Sequence, residues 1–244
     1  MTGCVRSAEF FRRGGRWFAA VCYNTPGAPL IVQEGVVGVD RNSVGNIAVM
    51  ADAQTGKVFK LGLNPAPTKQ TMRGRRKNLQ KDGKLRLLAK IRRKQRRRMT
   101  HENHRVAKTV VDYAARHRRA VAIEHLTSVR SRGSKIRRYA ETSQWAFAQL
   151  ETFLRYKAAL RGVSVIAVDP AYTSQTCSRC GSLHKPHGKL FVCGSCGHKE
   201  HRDANAAFNI AQRGSQNIGV CSSGLSVPEL GSIGVPCAGR AVAA

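Results

Sequence analysis

Acids are scarce in this chain. Fourteen Asp and Glu stand against forty-two Lys and Arg in 244 residues, a formal net charge of +28 and a pI near 10.9. That excess goes far beyond what solubility requires, and its field draws polyanions, nucleic acid first among them. Long apolar runs are also missing. None approaches the roughly 18 residues that cross a bilayer, so no membrane partner is expected. The N-terminal stretch lacks the apolar segment of a signal peptide, because Arg6, Arg12, Arg13 and Arg16 interrupt it. Four of the eight cysteines (Cys4, Cys22, Cys221 and Cys237) are scattered and need not pair, which fits a reducing, cytoplasmic setting.

The other four cysteines are patterned. Cys177, Cys180, Cys193 and Cys196 form two Cys-x-x-Cys pairs separated by twelve residues, with Gly181 and Gly197 directly after each pair. Two such knuckles offer four thiolates tetrahedrally, the donor set of a structural Zn²⁺. Redox motifs come singly, which argues against a thiol–disulfide pair. The spacing is short, but a hairpin closes it.

Coarse organisation follows from pattern. Arg16 to Val21 reads as a strand paired with something nearby. Val36 to Asp40, Asn46 to Ala51 and Lys57 to Leu61 read as a β-meander with a turn at Gln54-Thr55-Gly56. Pro65 and Pro67 end it, and a helical hairpin is expected: one helix carries Leu85, Leu88 and Ile91, the other Val106, Val110, Tyr113 and His117. A strand over Ala120 to Leu126 carries Glu124 in its apolar middle. Ser128 to Arg138 reads as a basic loop, and Ser143 as the cap of a helix that ends at Gly162. Val163 to Val168 is a further strand, closing on Asp169-Pro170. A helix from about Asp203 to Gln212 precedes a poorly ordered tail over 214–244.

Because acids are few, their placement is informative. A meander, a helix, a strand with an acid, a second helix, a strand and a final helix form an RNase H-like order. In that fold, carboxylates from the first strand, a central strand and a late helix meet at one edge of the sheet. Here these are Asp40, Glu124 and Asp203. Such a cluster holds two Mg²⁺ or Mn²⁺ ions about 4 Å apart, since hard divalent ions prefer oxygen. Each acid also has a plainer reading. Asp40 could cap a strand end, Asp203 could be a helix N-cap, and Asp169 could start a turn. Glu124 is harder to set aside, because a carboxylate in an apolar strand needs a partner or a metal.

From Lys69 to Arg98 fifteen Lys and Arg face one acid, Asp82, a local net of +14. Like charges at i,i+4 weaken a helix, and a phosphate backbone would relieve them. Arg73, Arg75, Arg76, Lys77, Arg92, Arg93, Arg96 and Arg97 are therefore expected to contact nucleic acid, with strong salt dependence and little base specificity. Trp145, Phe147 and Phe153 read as core rather than as stacking platforms. His184, His187, His198 and His201 surround the cysteines and are expected at the surface, since four thiolates already complete the site.

The segments Gly-Val-Asp40-Arg-Asn-Ser, Ile-Glu124-His-Leu, and Thr173-Ser-Gln-Thr-Cys177 through His201-Arg-Asp203-Ala-Asn-Ala-Ala-Phe-Asn-Ile210 resemble the C-terminal half of the TnpB/OrfB family of insertion-sequence proteins, relatives of type V CRISPR nucleases. The resemblance runs from roughly Arg12 to Gln212. It implies an α/β, RNase H-like (RuvC-like) fold with an inserted helical hairpin and a Cys4 zinc ribbon. By resemblance Asp40, Glu124 and Asp203 are catalytic carboxylates, Cys177, Cys180, Cys193 and Cys196 hold zinc, and the activity is RNA-guided DNA endonuclease, with guide RNA and DNA as partners. The implied division is 1–34, remnant of an N-terminal β-rich nucleic-acid-binding lobe; 35–170 and 203–213, nuclease domain with a helical insertion at about 69–119; 171–202, zinc ribbon; and 214–244, disordered tail. The chain departs from the family pattern in two ways: His201 replaces the usual acid before Arg-Asp, and most of the N-terminal lobe is absent. Two rival readings follow, a truncated or catalytically impaired RNA- or DNA-binding regulator and a strand-transferring transposase. A basic ribosomal protein would match the charge and leave the acids unexplained.

Overall fold

The structure is a computed structural model that describes residues 5–42, 45–63, 74, 77–125 and 137–221. Arg73, Arg75, Arg76, Pro65, Pro67 and most of the 128–138 loop lie outside the described residues.

A five-stranded mixed sheet forms the centre. Its strands are β3 (Gly35–Arg41), β4 (Asn46–Asp52), β5 (Val58–Leu63), β6 (Arg119–Glu124) and β7 (Val165–Val168), in the order β5-β4-β3-β6-β7. β5, β4 and β3 run antiparallel as a meander, whereas β6 and β7 lie parallel to β3. The apolar runs of β3, β4 and β6 are buried on both faces, as strands covered by helices on each side must be.

One face packs against α1 (Leu85–Arg116) and α2 (Arg137–Ala159) through Val37, Val39, Val121 and Ile123, which meet Val106, Val110, Val111, Leu150 and Leu154. The other face takes α3 (Arg202–Cys221) through Val36, Ala120, Ala122, Val168 and Ile210. β1 (Val5–Arg13) and β2 (Arg16–Tyr23) form a separate antiparallel hairpin. β8 (Leu190–Val192) and β9 (Lys199–His201) form a small hairpin whose connection carries Cys193 and Cys196 and which leads into α3.

Several boundaries differ from the sequence reading. The expected helical hairpin across 85–117 is one continuous helix of 32 residues. The apparent break in its apolar stripe is Asn103, which is buried and donates to the carbonyl of Ala146 and to Gln149 Oε1, both at 3.0 Å. The real break comes earlier, at Asp82-Gly83, where Gly83 takes φ +65°, a conformation open to glycine without a Cβ clash. Helix α2 begins at Arg137, so Ser143 lies within it rather than capping it. Glu124 ends β6 instead of sitting mid-strand, because its partner β7 stops at Val168, just before Asp169-Pro170.

Helix α3 runs on to Cys221, beyond the expected stop near Gln212. Gly214 does not end it. A Cβ at Gly214 would lie 2.6 Å from Ala122 Cβ and 3.0 Å from Val36 Cγ1, so this glycine lets the helix sit low on the sheet. Residues 222–244 lie outside the described residues.

Candidate carboxylate centre and cysteine cluster

Asp40 is the penultimate residue of β3. The parallel ladder to β6 pairs Val39 with Ile123, so the next residues in register are Asp40 and Glu124. Residues 36, 38 and 40 share one face of β3, and that face is the one covered by α3. A Cβ on Gly38 would lie 2.0 Å from the carbonyl oxygen of Ala207 and 2.5 Å from the amide nitrogen of Ala211. With Gly214 over Val36 and Ala207 to Ala211 over Gly38, the helix runs against the direction of β3. Its first turn, which contains Asp203, therefore lies over the Asp40 end of the sheet.

The electrostatics agree with that placement. The Asp40 carboxyl is pushed up to about 7, first by burial and then by the charges of Glu124 and Asp203, while a hydrogen bond from Asn42 and the charge of Arg202 oppose the rise. Asp40 thus feels both other acids. Burial also raises Glu124, against a hydrogen bond from Thr173 and the charges of Arg41 and Arg213. Glu124 and Asp203 are near enough for their charges to act on Asp40, but among the described residues the three carboxylates are not drawn close enough to share a single ion.

Arg41 fixes the frame from the other face. Its guanidinium is fully buried, reaches Glu151 Oε2 at 3.0 Å and the Phe147 carbonyl at 3.3 Å, and donates to the Glu124 carbonyl. Asp169 is a turn starter: its Oδ1 accepts from the amide of Ala171 at 3.0 Å. His201 accepts through Nδ1 from the amide of Asp203 at 3.3 Å and so caps the start of α3.

The four cysteine sulfurs lie within 4.8 Å of one another, and among the described residues this is the group of three or more His, Cys, Asp or Glu side chains drawn close enough to share one ion. Cys177 and Cys196 are 3.7 Å apart at sulfur, Cys180 and Cys193 3.5 Å. A tetrahedron with metal–sulfur bonds of about 2.3 Å has edges of about 3.8 Å, so the donor set fits. Gly181 and Gly197 have φ +78° and +71°, and their amides bond back to Cys177 and Cys193 at 2.9 and 3.0 Å, which closes each knuckle. Phe191, fully buried between Cys177 and Cys193, is the small core of this unit. His184 bonds to Ser195 Oγ at 3.1 Å and lies outside the sulfur group.

The sequence reading quoted Thr173, Asn205 and Asn209 within its motif but gave them no role. Thr173 Oγ1 donates to Glu124 Oε1 at 2.6 Å. Asn205 and Asn209 are buried and donate to the carbonyls of Thr173 and Thr176 at 2.7–2.8 Å, while Asn205 Oδ1 accepts from the amide of Ser178 at 2.9 Å. Two asparagines four residues apart on the apolar face of α3 were the available signal, since buried amides need partners.

Lys77, Arg92, Arg93, Arg96 and Arg97 are exposed. Between Leu85 and His101 there are eight Lys and Arg and no acid, and in that stretch only Leu88 is buried. Like charges three and four residues apart there repel one another and disfavour the helix. Phe153 is core, and Phe147 lies 6.0 Å beneath the Arg41 guanidinium.

The family model described as Cas12f1-like, TNB domain, matches residues 147–210, which include β7, all four patterned cysteines and Asp203. The CRISPR-associated endodeoxyribonuclease Cas12f1 of Sulfoacidibacillus thermotolerans is 36% identical over 113 residues, covering 45% of this chain and 26% of that protein. A TnpB-like protein of Methanocaldococcus jannaschii is 30% identical over 138 residues, covering 54% of this chain and 49% of that one. These matches support a likeness to the TnpB/OrfB family. It matches from about a quarter to a half of the length of these curated relatives. Among solved structures, the chain is similar in fold to a CRISPR-Cas12f ternary complex, with TM-score 0.60 and 22% identity over 84% of this chain and 44% of that one. A Cas12f1 solved with sgRNA and target DNA gives TM-score 0.57 at 22% identity, over 84% of this chain and 55% of that one. No helix among the described residues is long and apolar enough to cross a membrane.

Proposed function

We propose that this chain is the nuclease part of an RNA-guided DNA endonuclease, an RNase H-like (RuvC-like) α/β domain that hydrolyses phosphodiester bonds. The observation that carries the reading is the burial of Asp40 between Glu124 and Asp203, at the strand-end edge of the sheet beneath the first turn of α3. The strand order β5-β4-β3-β6-β7, antiparallel then parallel, supports it. On this reading residues 35–170 and the α3 helix from 203 form the nuclease domain, residues 171–202 a zinc ribbon, and residues 1–34 part of a nucleic-acid-binding lobe.

Two Mg²⁺ or Mn²⁺ ions bound by these acids would activate water and stabilise the leaving oxygen of the scissile phosphate. The protein's own groups prepare that site. Asp40 supplies a largely buried carboxylate, which burial first, and then the like charges of Glu124 and Asp203, hold back from full ionisation at neutral pH until a cation binds. Arg41 ties the end of β6 to β3 and so keeps Glu124 level with Asp40. The α3 N-terminus, with Arg202 beside it, places positive potential where a phosphate would approach. Cys177, Cys180, Cys193 and Cys196 would hold a structural Zn²⁺, and four thiolates leave no open position for catalysis. Arg92, Arg93, Arg96 and Arg97 on α1, with Lys77 ahead of it, would track a nucleic-acid backbone.

The test is cleavage of end-labelled single-stranded DNA by the full chain in Mg²⁺, beside Asp40→Ala. Cutting by the wild type and not by the variant supports the reading. DNA binding without metal-dependent cutting would instead favour a binding regulator, and products joined to one another would favour strand transfer.

A further inference from the structure

The carboxylate of Glu124 takes a short hydrogen bond from outside its own strand and outside α3. Thr173 Oγ1 lies 2.6 Å from Glu124 Oε1, and Thr173 is 4% exposed. The same hydroxyl is 3.3 Å from the carbonyl of Pro170, but its single proton goes to the nearer, charged acceptor. Thr173 is no ordinary loop residue, because its backbone is clamped. Asn209 Nδ2 donates to its carbonyl at 2.8 Å, and the same amide reaches the carbonyl of Thr176 at 2.7 Å. Asn205 meets Thr176 at 2.7 Å and takes the amide of Ser178, between the first two cysteines, at 2.9 Å. Tyr172, one residue before, holds φ +60°, a left-handed conformation that side chains larger than glycine disfavour, and the amides of Gln175 and Thr176 bond to its carbonyl at 3.0 and 2.9 Å. The loop that leads into the cysteines is thus pinned to α3 in a costly shape, and Thr173 is aimed at Glu124.

We propose that Thr173 is the positioning residue for the Glu124 carboxylate, delivered from the cysteine loop to orient that carboxylate for a divalent ion. The inference rests on the reading of Asp40, Glu124 and Asp203 as an ion site. A glutamate has three side-chain torsions, and one fixed oxygen removes most of the freedom it would otherwise lose on binding a cation. A hydroxyl donor also favours the ionised carboxylate, the form that binds metal. Outer partners of this kind are worth 10- to 100-fold in metal affinity.

The experiment is a Mn²⁺ titration of the zinc-loaded full chain, followed by the electron paramagnetic resonance signal of free Mn²⁺, with zinc content measured alongside. Thr173→Val removes the donor and keeps the shape, whereas Thr173→Ser keeps the donor. We expect Thr173→Val to weaken Mn²⁺ binding by about 10- to 100-fold with zinc content unchanged, and Thr173→Ser to bind as the wild type does. Equal affinity in wild type and Thr173→Val overturns the inference, as does equal loss in Val and Ser, which would assign the effect to packing. Loss of zinc in Thr173→Val also overturns it, because the residue would then serve the cysteine loop instead. Wild-type Mn²⁺ binding that Asp40→Ala leaves unchanged overturns the underlying ion-site reading, a result separable from all of these.

Discussion

Gly38 lies so close beneath α3 that a Cβ there would sit 2.0 Å from the carbonyl oxygen of Ala207. The contact is backbone to backbone, so no flexible side chain can yield. It sets the height of α3 above β3, and the height of α3 sets where Asp203 falls relative to Asp40.

Gly38→Ala should therefore force the helix off the sheet. Overpacking of this kind costs about 1–3 kcal/mol, visible as a lower midpoint in urea. Because the displacement reaches the first turn of α3, activity should fall further than stability does. Zinc content should be retained, since the sulfurs lie outside this contact.

Asp40 makes stability depend on pH. Its carboxyl is raised by burial to about 7, against an ordinary value of 3.8. Between those values the folded state holds a proton that the unfolded state has released, so this group's contribution to stability falls as pH rises from about 4 to 7. Asp40→Asn should flatten that slope and raise the melting temperature at pH 7.5 in protein without added Mg²⁺. In the wild type, Mg²⁺ should recover much of the difference, and thermal scans with and without Mg²⁺ at both pH values check it.

The cysteine cluster should behave as a folding element. Its core is little more than Phe191 between Cys177 and Cys193, too small to hold the loops by burial alone. Cys193→Ser should release the metal and expose residues 171–202 to proteolysis, because structural zinc binding is folding free energy. Limited digestion with metal analysis tests this, and a metal-free variant with unchanged protection would contradict it.

The basic half of α1 should govern salt dependence. Replacing Arg92, Arg93 and Arg97 together with Ala removes three cations from an exposed face. The slope of log K against log salt for single-stranded DNA should drop by about 2, at roughly 0.7 per phosphate contact. Base preference should not change if, as proposed, these residues meet phosphate rather than base edges.

Much of the sheet was legible because its strands are short apolar runs bounded by turn residues; β3, β4, β5 and β6 start and stop within a few residues of where that pattern places them. The cysteine geometry was legible from spacing alone. The hairpin strand β1 was not: every residue of Val5–Arg13 is exposed, so no alternation marks it. Asn103 hid the continuity of α1, because a buried amide looks like a gap in an apolar stripe. The helix expected to end near Gln212 runs on because Gly214 is a packing contact with Ala122 and Val36. Thr173 was invisible because its bond to Glu124 spans 49 residues and depends on a loop held by Asn209. Periodicity reports which face is buried, not which distant side chains meet there.

The central claim is that Asp40, Glu124 and Asp203 form one hydrolytic centre. It is tested most directly by comparing Mg²⁺-dependent cleavage of labelled single-stranded DNA by the wild type, Asp40→Ala, Glu124→Gln and Asp203→Ala, each with its zinc content and melting curve. The account predicts that each single change abolishes cutting while the fold and the bound zinc persist. Cutting that survives in any of the three folded variants would contradict it.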